Sequence, residues 1–209
     1  MKKILTLILF LIPSLTFPQV INITDPDMDF SSWKLKVFRG KANFRVEKQS
    51  RKMLKLVSDN SSYSLIKELQ MDVSETPFLN FEWKVECLPK GADVRFKEKD
   101  DQAIQIYVIV PFFPETINYK AIGYVWDSSV NNGIHQSPKF SNIKYVVLRD
   151  GSSELNRVYK EKRNVYEDFK NLWGLELKKS NIIIAISIDS DDTRSNAISY
   201  LGEIFFSKD

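Results

Sequence analysis

Cysteine and histidine occur once each in the 209 residues, as Cys87 and His135. A lone thiol excludes an internal disulfide, so stability has to come from a packed core. Cys87 falls in phase with apolar neighbours, which reads as a buried, inert thiol. A lone imidazole excludes multi-histidine zinc and copper centres and leaves any Ser-His-Asp arrangement dependent on one loop residue. A basic field is also lacking. The 30 Lys and Arg are balanced by 27 Asp and Glu, and lysines sit beside glutamates, as in Lys97-Glu98-Lys99. Nucleic-acid binding needs cations gathered on one face, so that partner class is set aside. No apolar run reaches the roughly 20 residues of a membrane span.

The longest apolar run lies at the N-terminus. Lys2 and Lys3 precede Ile4 to Ile12, which only Thr6 interrupts, and Pro13 to Gln19 follows. Charge, short apolar stretch and helix break together predict a signal peptide over residues 1–19 and an exported, periplasmic or secreted protein. Residues 20–209 are then expected as one domain with no membrane span. Without Lys2 and Lys3, 28 basic residues face 27 acidic ones, a net +1.

Period-two patterns dominate this remainder. Leu79, Phe81, Trp83, Val85 and Cys87 alternate with Asn80, Glu82, Lys84 and Glu86, a strand with one buried face. Trp33, Leu35 and Val37 suggest a half-buried strand of the same kind. Residues 103–110 are apolar on both faces and read as a central strand that Pro111 ends, and residues 121–126 and 143–148 as two more. Asn131 to Pro138, between those two, reads as an open loop. Residues 181–206 suggest a buried strand, an acidic turn and a closing strand that alternates Ile198, Tyr200, Gly202, Ile204 and Phe206, together a C-terminal hairpin. One helix is predicted near 164–173: Asn164 and Glu167 form a capping box, Val165, Phe169, Leu172 and Trp173 a stripe, and Gly174 the stop. Nine or ten short strands without βαβ alternation predict an all-β, two-sheet antiparallel sandwich of jelly-roll type.

Several motifs occur in a fixed order: Asp100-Asp-Gln-Ala-Ile-Gln-Ile-Tyr-Val108, Tyr124-Val-Trp126, Tyr145-Val-Val-Leu-Arg-Asp-Gly151, Glu161-Lys-Arg-Asn-Val-Tyr-Glu-Asp168 and Ile188-Asp-Ser-Asp-Asp-Thr193. Together they resemble the bacterial family known as domain of unknown function 3047, from about Trp33 to Phe206. The resemblance implies an exported bacterial protein without an assigned activity. That family's pattern carries Asn and Gly where this chain has Asp192 and Arg194. The layout is also similar to galactose-binding-type carbohydrate-binding jelly rolls, a likeness of topology that does not fix function.

Three residue groups carry candidate chemistry. Asp189, Asp191 and Asp192, with Glu203, offer oxygen ligands for Ca²⁺, or act as turn caps. The segment is no EF-hand, because Arg194 stands where Gly is needed and Tyr200 where the bidentate Glu is needed. Asp100, Asp101, Glu161, Arg163 and Asp168 suggest one ion-pair network, either a polar pocket or a structural lock. Trp126, Tyr124 and Tyr107 suggest a platform for a sugar ring, with Asp127 or Arg163 on its hydroxyls, or else core aromatics. The leading expectation is a non-catalytic module that binds a glycan or envelope polymer, with no cofactor beyond Ca²⁺. The alternatives are a polysaccharide hydrolase or lyase pairing Asp101 with Asp189 or Asp191, and a structural envelope protein. Nothing in the sequence indicates oligomeric state.

Overall fold

The computed structural model describes residues 20–209 apart from 25–26, 49, 115–117 and 130–131; the expected signal segment lies outside the described residues. Two sheets face each other across one large core. The six-stranded sheet contains β1 (Val20–Asn22), β3 (Asn43–Lys48), β4 (Lys52–Asp59), β6 (Phe78–Cys87), β11 (Tyr159–Asn164) and β13 (Asn196–Ser207). Their order is β11-β6-β13-β4-β3, with β1 also on β13. The seven-stranded sheet contains β2 (Lys34–Arg39), β5 (Ser62–Asp72), β7 (Ile104–Phe112), β8 (Asn118–Trp126), β9 (Gly133–Gln136), β10 (Ile143–Arg149) and β12 (Lys179–Asp189). Its order is β2-β5-β12-β7-β8-β10-β9. Pairing is antiparallel except between β8 and β10, which run in parallel. The chain is thus the expected jelly-roll sandwich with one helix, α1 (Val165–Trp173).

The clearest sequence patterns map directly onto the core. Leu79, Phe81, Trp83 and Val85 of β6 are buried, as are Ile104, Ile106 and Val108 of the central strand β7. Asn164 caps α1 by accepting the Glu167 N–H at 3.0 Å. Gly174 ends the helix in the left-handed region at φ 67°, where a side chain would be strained.

Other expectations are corrected. β12 and β13 do not pair as a hairpin: they lie in different sheets, and the Ser190–Ser195 turn carries the chain across the sandwich. The phase along β13 is also shifted. Ala197 and Leu201 enter the core, a register irregularity between Leu201 and Ile204 follows, and Ile204 and Phe206 then point inward. A bulge adds a residue and so reverses which face follows. Leu35 and Val37 are not half-buried; every residue of β2 is exposed, because β2 is an edge strand. β7 continues through Pro111 to Phe112. The open loop before β10 contains β9, which carries His135 and pairs with β10. Cys87 is half-buried at a strand end, with its Sγ 3.6 Å from the Asn196 carbonyl oxygen.

Candidate functional site

The expected single network of Asp100, Asp101, Glu161, Arg163 and Asp168 divides into two separate clusters. β11 turns Tyr159, Glu161 and Arg163 toward β8 and β10 at one edge of the sandwich, where α1 follows directly. Arg163 donates to Asp168 through Nε at 3.1 Å and Nη2 at 2.7 Å, a bidentate pair at the helix start. Asp168 also accepts the Tyr124 hydroxyl at 2.7 Å. Glu161 Oε1 accepts Arg149 Nε at 2.7 Å and Trp83 Nε1 at 3.1 Å. These groups close the edge with satisfied polar contacts.

The aromatic platform is likewise core. Tyr124 and Trp126 alternate inward along β8 and have no exposed surface. Trp126 packs edge-on against Trp83 at 5.8 Å and Tyr159 at 5.4 Å between ring centroids. A fully enclosed ring cannot stack on a sugar, so in this fold both rings belong to the core. Tyr107 faces the opposite way, onto the outer surface of the seven-stranded sheet. There it is half-buried and packs beside Val94, Val125, Tyr145 and Val147. Gly123 between Tyr107 and Tyr145 is needed for closeness, since a Cβ there would lie 2.7 Å from the Tyr107 ring.

The aspartates of the second cluster gather near this outer surface, but each is held by its own partners. Asp101 is fully buried and accepts the Asp192 N–H at 3.1 Å, the Thr193 N–H at 2.7 Å and the Thr193 hydroxyl at 2.6 Å. Asp189 accepts the Gln102 N–H at 2.6 Å and Gln105 Nε2 at 3.1 Å. Asp192 is paired with Lys139, and Asp191 lies 3.9 Å from Arg39. Glu203 is exposed on β13, away from the turn residues that the fold gathers. Among the described residues no three Asp, Glu, His or Cys side chains converge as a metal-ligand set. The carboxylates of the acidic turn therefore do not gather around one point, as a Ca²⁺ site built on them would require. Asp101 has both oxygens engaged by the turn that follows Asp189, which ties the two ends of this cluster together.

Asp100 has the most unusual environment of the cluster. It is 3% exposed, accepts Gln102 Nε2 at 2.9 Å and the Tyr145 hydroxyl at 3.3 Å, and lies 3.9 Å from Lys139 Nζ. Burial pushes its carboxyl up to about 6, against the opposing pull of Gln102 and Lys139. Burial, and then the neighbouring Asp101, also raise Asp189 well above the usual carboxylate range.

Lys139 joins this cluster to an open cavity of about 540 Å³ lined by Phe112, Asn118, Tyr119, Lys120, Lys139, Phe140, Ser141 and Asn142. Phe140 is 50% exposed and the adjoining Phe113 is 91% exposed. The cavity combines aromatic faces, two amides and two ammonium groups, the mixture suited to a ligand with an apolar face and a polar rim. Sequence reasoning missed these residues. The available signal was the placement of Phe113 and Phe140 beside prolines and serines, where no strand pattern asks for a buried ring.

The family model described as "Protein of unknown function (DUF3047)" matches residues 31–205. No curated protein matches the chain. Among solved structures, a family 30 carbohydrate-binding module of a Clostridium thermocellum cellulosomal cellulase aligns over 91% of this chain and 98% of its own, with TM-score 0.50 and 11% identity. A carbohydrate-binding module in complex with β-1,4-galactotriose, TmCBM61, aligns over 90% and 98%, with TM-score 0.45 and 11% identity. A family 11 xylanase from Neocallimastix patriciarum aligns over 84% and 90%, with TM-score 0.40 and 7% identity. At these identities the likeness shows the fold alone.

Proposed function

We propose a glycan-binding role without catalysis for this chain, which belongs to the DUF3047 family, with export as its expected setting. The observation that carries the reading is the cavity beside β7 and β8. Phe112, Tyr119 and Phe140 supply ring surface there, while Asn118, Asn142 and Lys139 supply donors. A pyranose presents one apolar face and a rim of hydroxyls, and this lining matches both. Lys139 is the one member of its charge cluster that lines the cavity, and pairing with Asp192, with Asp100 at 3.9 Å, fixes its ammonium there. The jelly-roll architecture, shared with carbohydrate-binding modules, supports the same reading.

Retention on immobilised β-glucan, β-1,4-galactan, mannan, xylan and chitin tests it. Binding to at least one polymer is expected, weakened about tenfold or more by Phe140→Ala, on the scale of an interface hot spot. Melting of the variant should match the parent, because Phe140 is half exposed. Failure to bind any polymer, or binding indifferent to Phe140→Ala, refutes the assignment. Release of reducing ends from the bound polymer refutes its non-catalytic part.

A further inference from the structure

The two edges of the sandwich are finished differently. At the β11 edge, α1 and the Arg149–Glu161 and Arg163–Asp168 pairs close the gap between sheets. At the opposite edge, β2 and β3 turn Leu35, Val37 and Val46 toward the interior: their Cα partners are Leu65, Tyr63 and Leu54, all core residues. Yet Leu35 is 45% exposed, Val37 44% and Val46 41%, with Phe38 beside them at 57%. The rim around this apolar strip is cationic. Residues 34–48 hold Lys34, Lys36, Arg39, Lys41, Arg45 and Lys48 against the single acid Glu47, a net +5 within a chain whose total is +3; Arg39 faces Asp191 at 3.9 Å and Arg45 bonds to Glu47, so Lys34, Lys36, Lys41 and Lys48 carry the remaining positive charge of the edge.

We propose that the β2–β3 edge seats on an anionic lipid surface, with Leu35, Val37, Phe38 and Val46 entering the headgroup boundary and the surrounding cations meeting lipid phosphates. Apolar side chains flanked by Lys and Arg are the combination that interfacial binding requires. A second copy of the chain is disfavoured as occupant, since symmetric pairing would set cations against cations. A soluble polyanion satisfies the charges but leaves the four apolar side chains in water. The proposal is independent of the glycan reading: the cavity lies along β7, β8 and residues 139–142, three strands and more across the sheet from β2, and stays open when the edge is seated.

Co-sedimentation of residues 20–209, which contain both sheets, with lipid vesicles tests the proposal. Binding is expected to vesicles of phosphatidylglycerol and phosphatidylcholine, to be absent with phosphatidylcholine alone, and to fall with added salt. The double variant Val37→Ser, Phe38→Ser should bind about tenfold more weakly, because apolar burial supplies part of the affinity. Lys34→Glu with Lys36→Glu should abolish binding. All four positions are exposed, so unchanged melting curves exclude misfolding as the cause. Absence of binding to anionic vesicles overturns the proposal and leaves the lysines as guards against strand-edge aggregation. Binding that the Val37/Phe38 variant does not weaken, or that dextran sulfate reproduces with the same sensitivity to both variants, overturns it in favour of charge attraction alone. Dimerisation lost in the Val37/Phe38 variant overturns it in favour of a self-association edge.

Discussion

Replacing Asp100 by asparagine should stabilise the protein at neutral pH and flatten its pH dependence. Asp100 is 3% exposed, and its carboxyl is raised from 3.8 to about 6 by burial. A folded-state pKa above the unfolded value means that the native state binds the proton more tightly. Stability from this group is therefore full below about pH 4, is lost as pH rises toward 6, and stays lost above that. Two pH units correspond to about 3 kcal/mol. An asparagine side chain at this position keeps an oxygen to accept Gln102 Nε2 but surrenders the attraction of Lys139 at 3.9 Å. A net gain of about 1–2 kcal/mol at pH 7.5 remains, or a melting temperature higher by about 2–8 °C for a domain of this size. Thermal unfolding of parent and Asp100→Asn from pH 4.5 to 7.5 measures it, and the two curves should converge at the acid end. A parent more stable than the variant at pH 7.5, with parallel slopes, would show that Lys139 and the donors outweigh desolvation.

Two further outcomes separate the core from the proposed site. Trp126→Ala should lose about 3–5 kcal/mol in urea unfolding, the cost of emptying an enclosed aromatic site. Calcium at millimolar concentration should leave the melting temperature unchanged relative to chelator, because the acidic-turn carboxylates already hold protein donors; a rise of several degrees would show a convergent site that this arrangement does not contain.

The legible parts of the sequence are those whose surroundings are fixed by local pattern. β6 alternates strictly and has one wet face, so each apolar residue from Leu79 to Val85 is readable as core. Helix α1 carries its own start and stop in Asn164 and Gly174. β13 defeats the same reading because its phase changes at a register irregularity, and a period-two count cannot anticipate the extra residue. β2 defeats it for a different reason: its alternation is real and its apolar side chains do point inward, but at an uncovered edge inward is not buried.

The candidate site is less legible because charge and aromaticity in sequence do not reveal which partner is nearest. Asp101 and Arg163 look like partners through their complementary chemistry. In the fold, Arg163 meets Asp168 five residues away, while Asp101 meets the amides of residues 192 and 193, far along the chain. Both arrangements meet one need, that a carboxylate withdrawn from water be given hydrogen-bond donors. At the helix start the nearest donor is a neighbouring guanidinium. At the sheet crossover it is the pair of amides exposed by the turn from Asp189 to Ser195. Once those needs are met locally, the side chains left for a partner are the ones the fold does not consume: Phe140 at the cavity, and the apolar strip with Lys34, Lys36, Lys41 and Lys48 along β2 and β3. Whole-chain charge hides the second group, because the net +5 of residues 34–48 is offset by acids elsewhere.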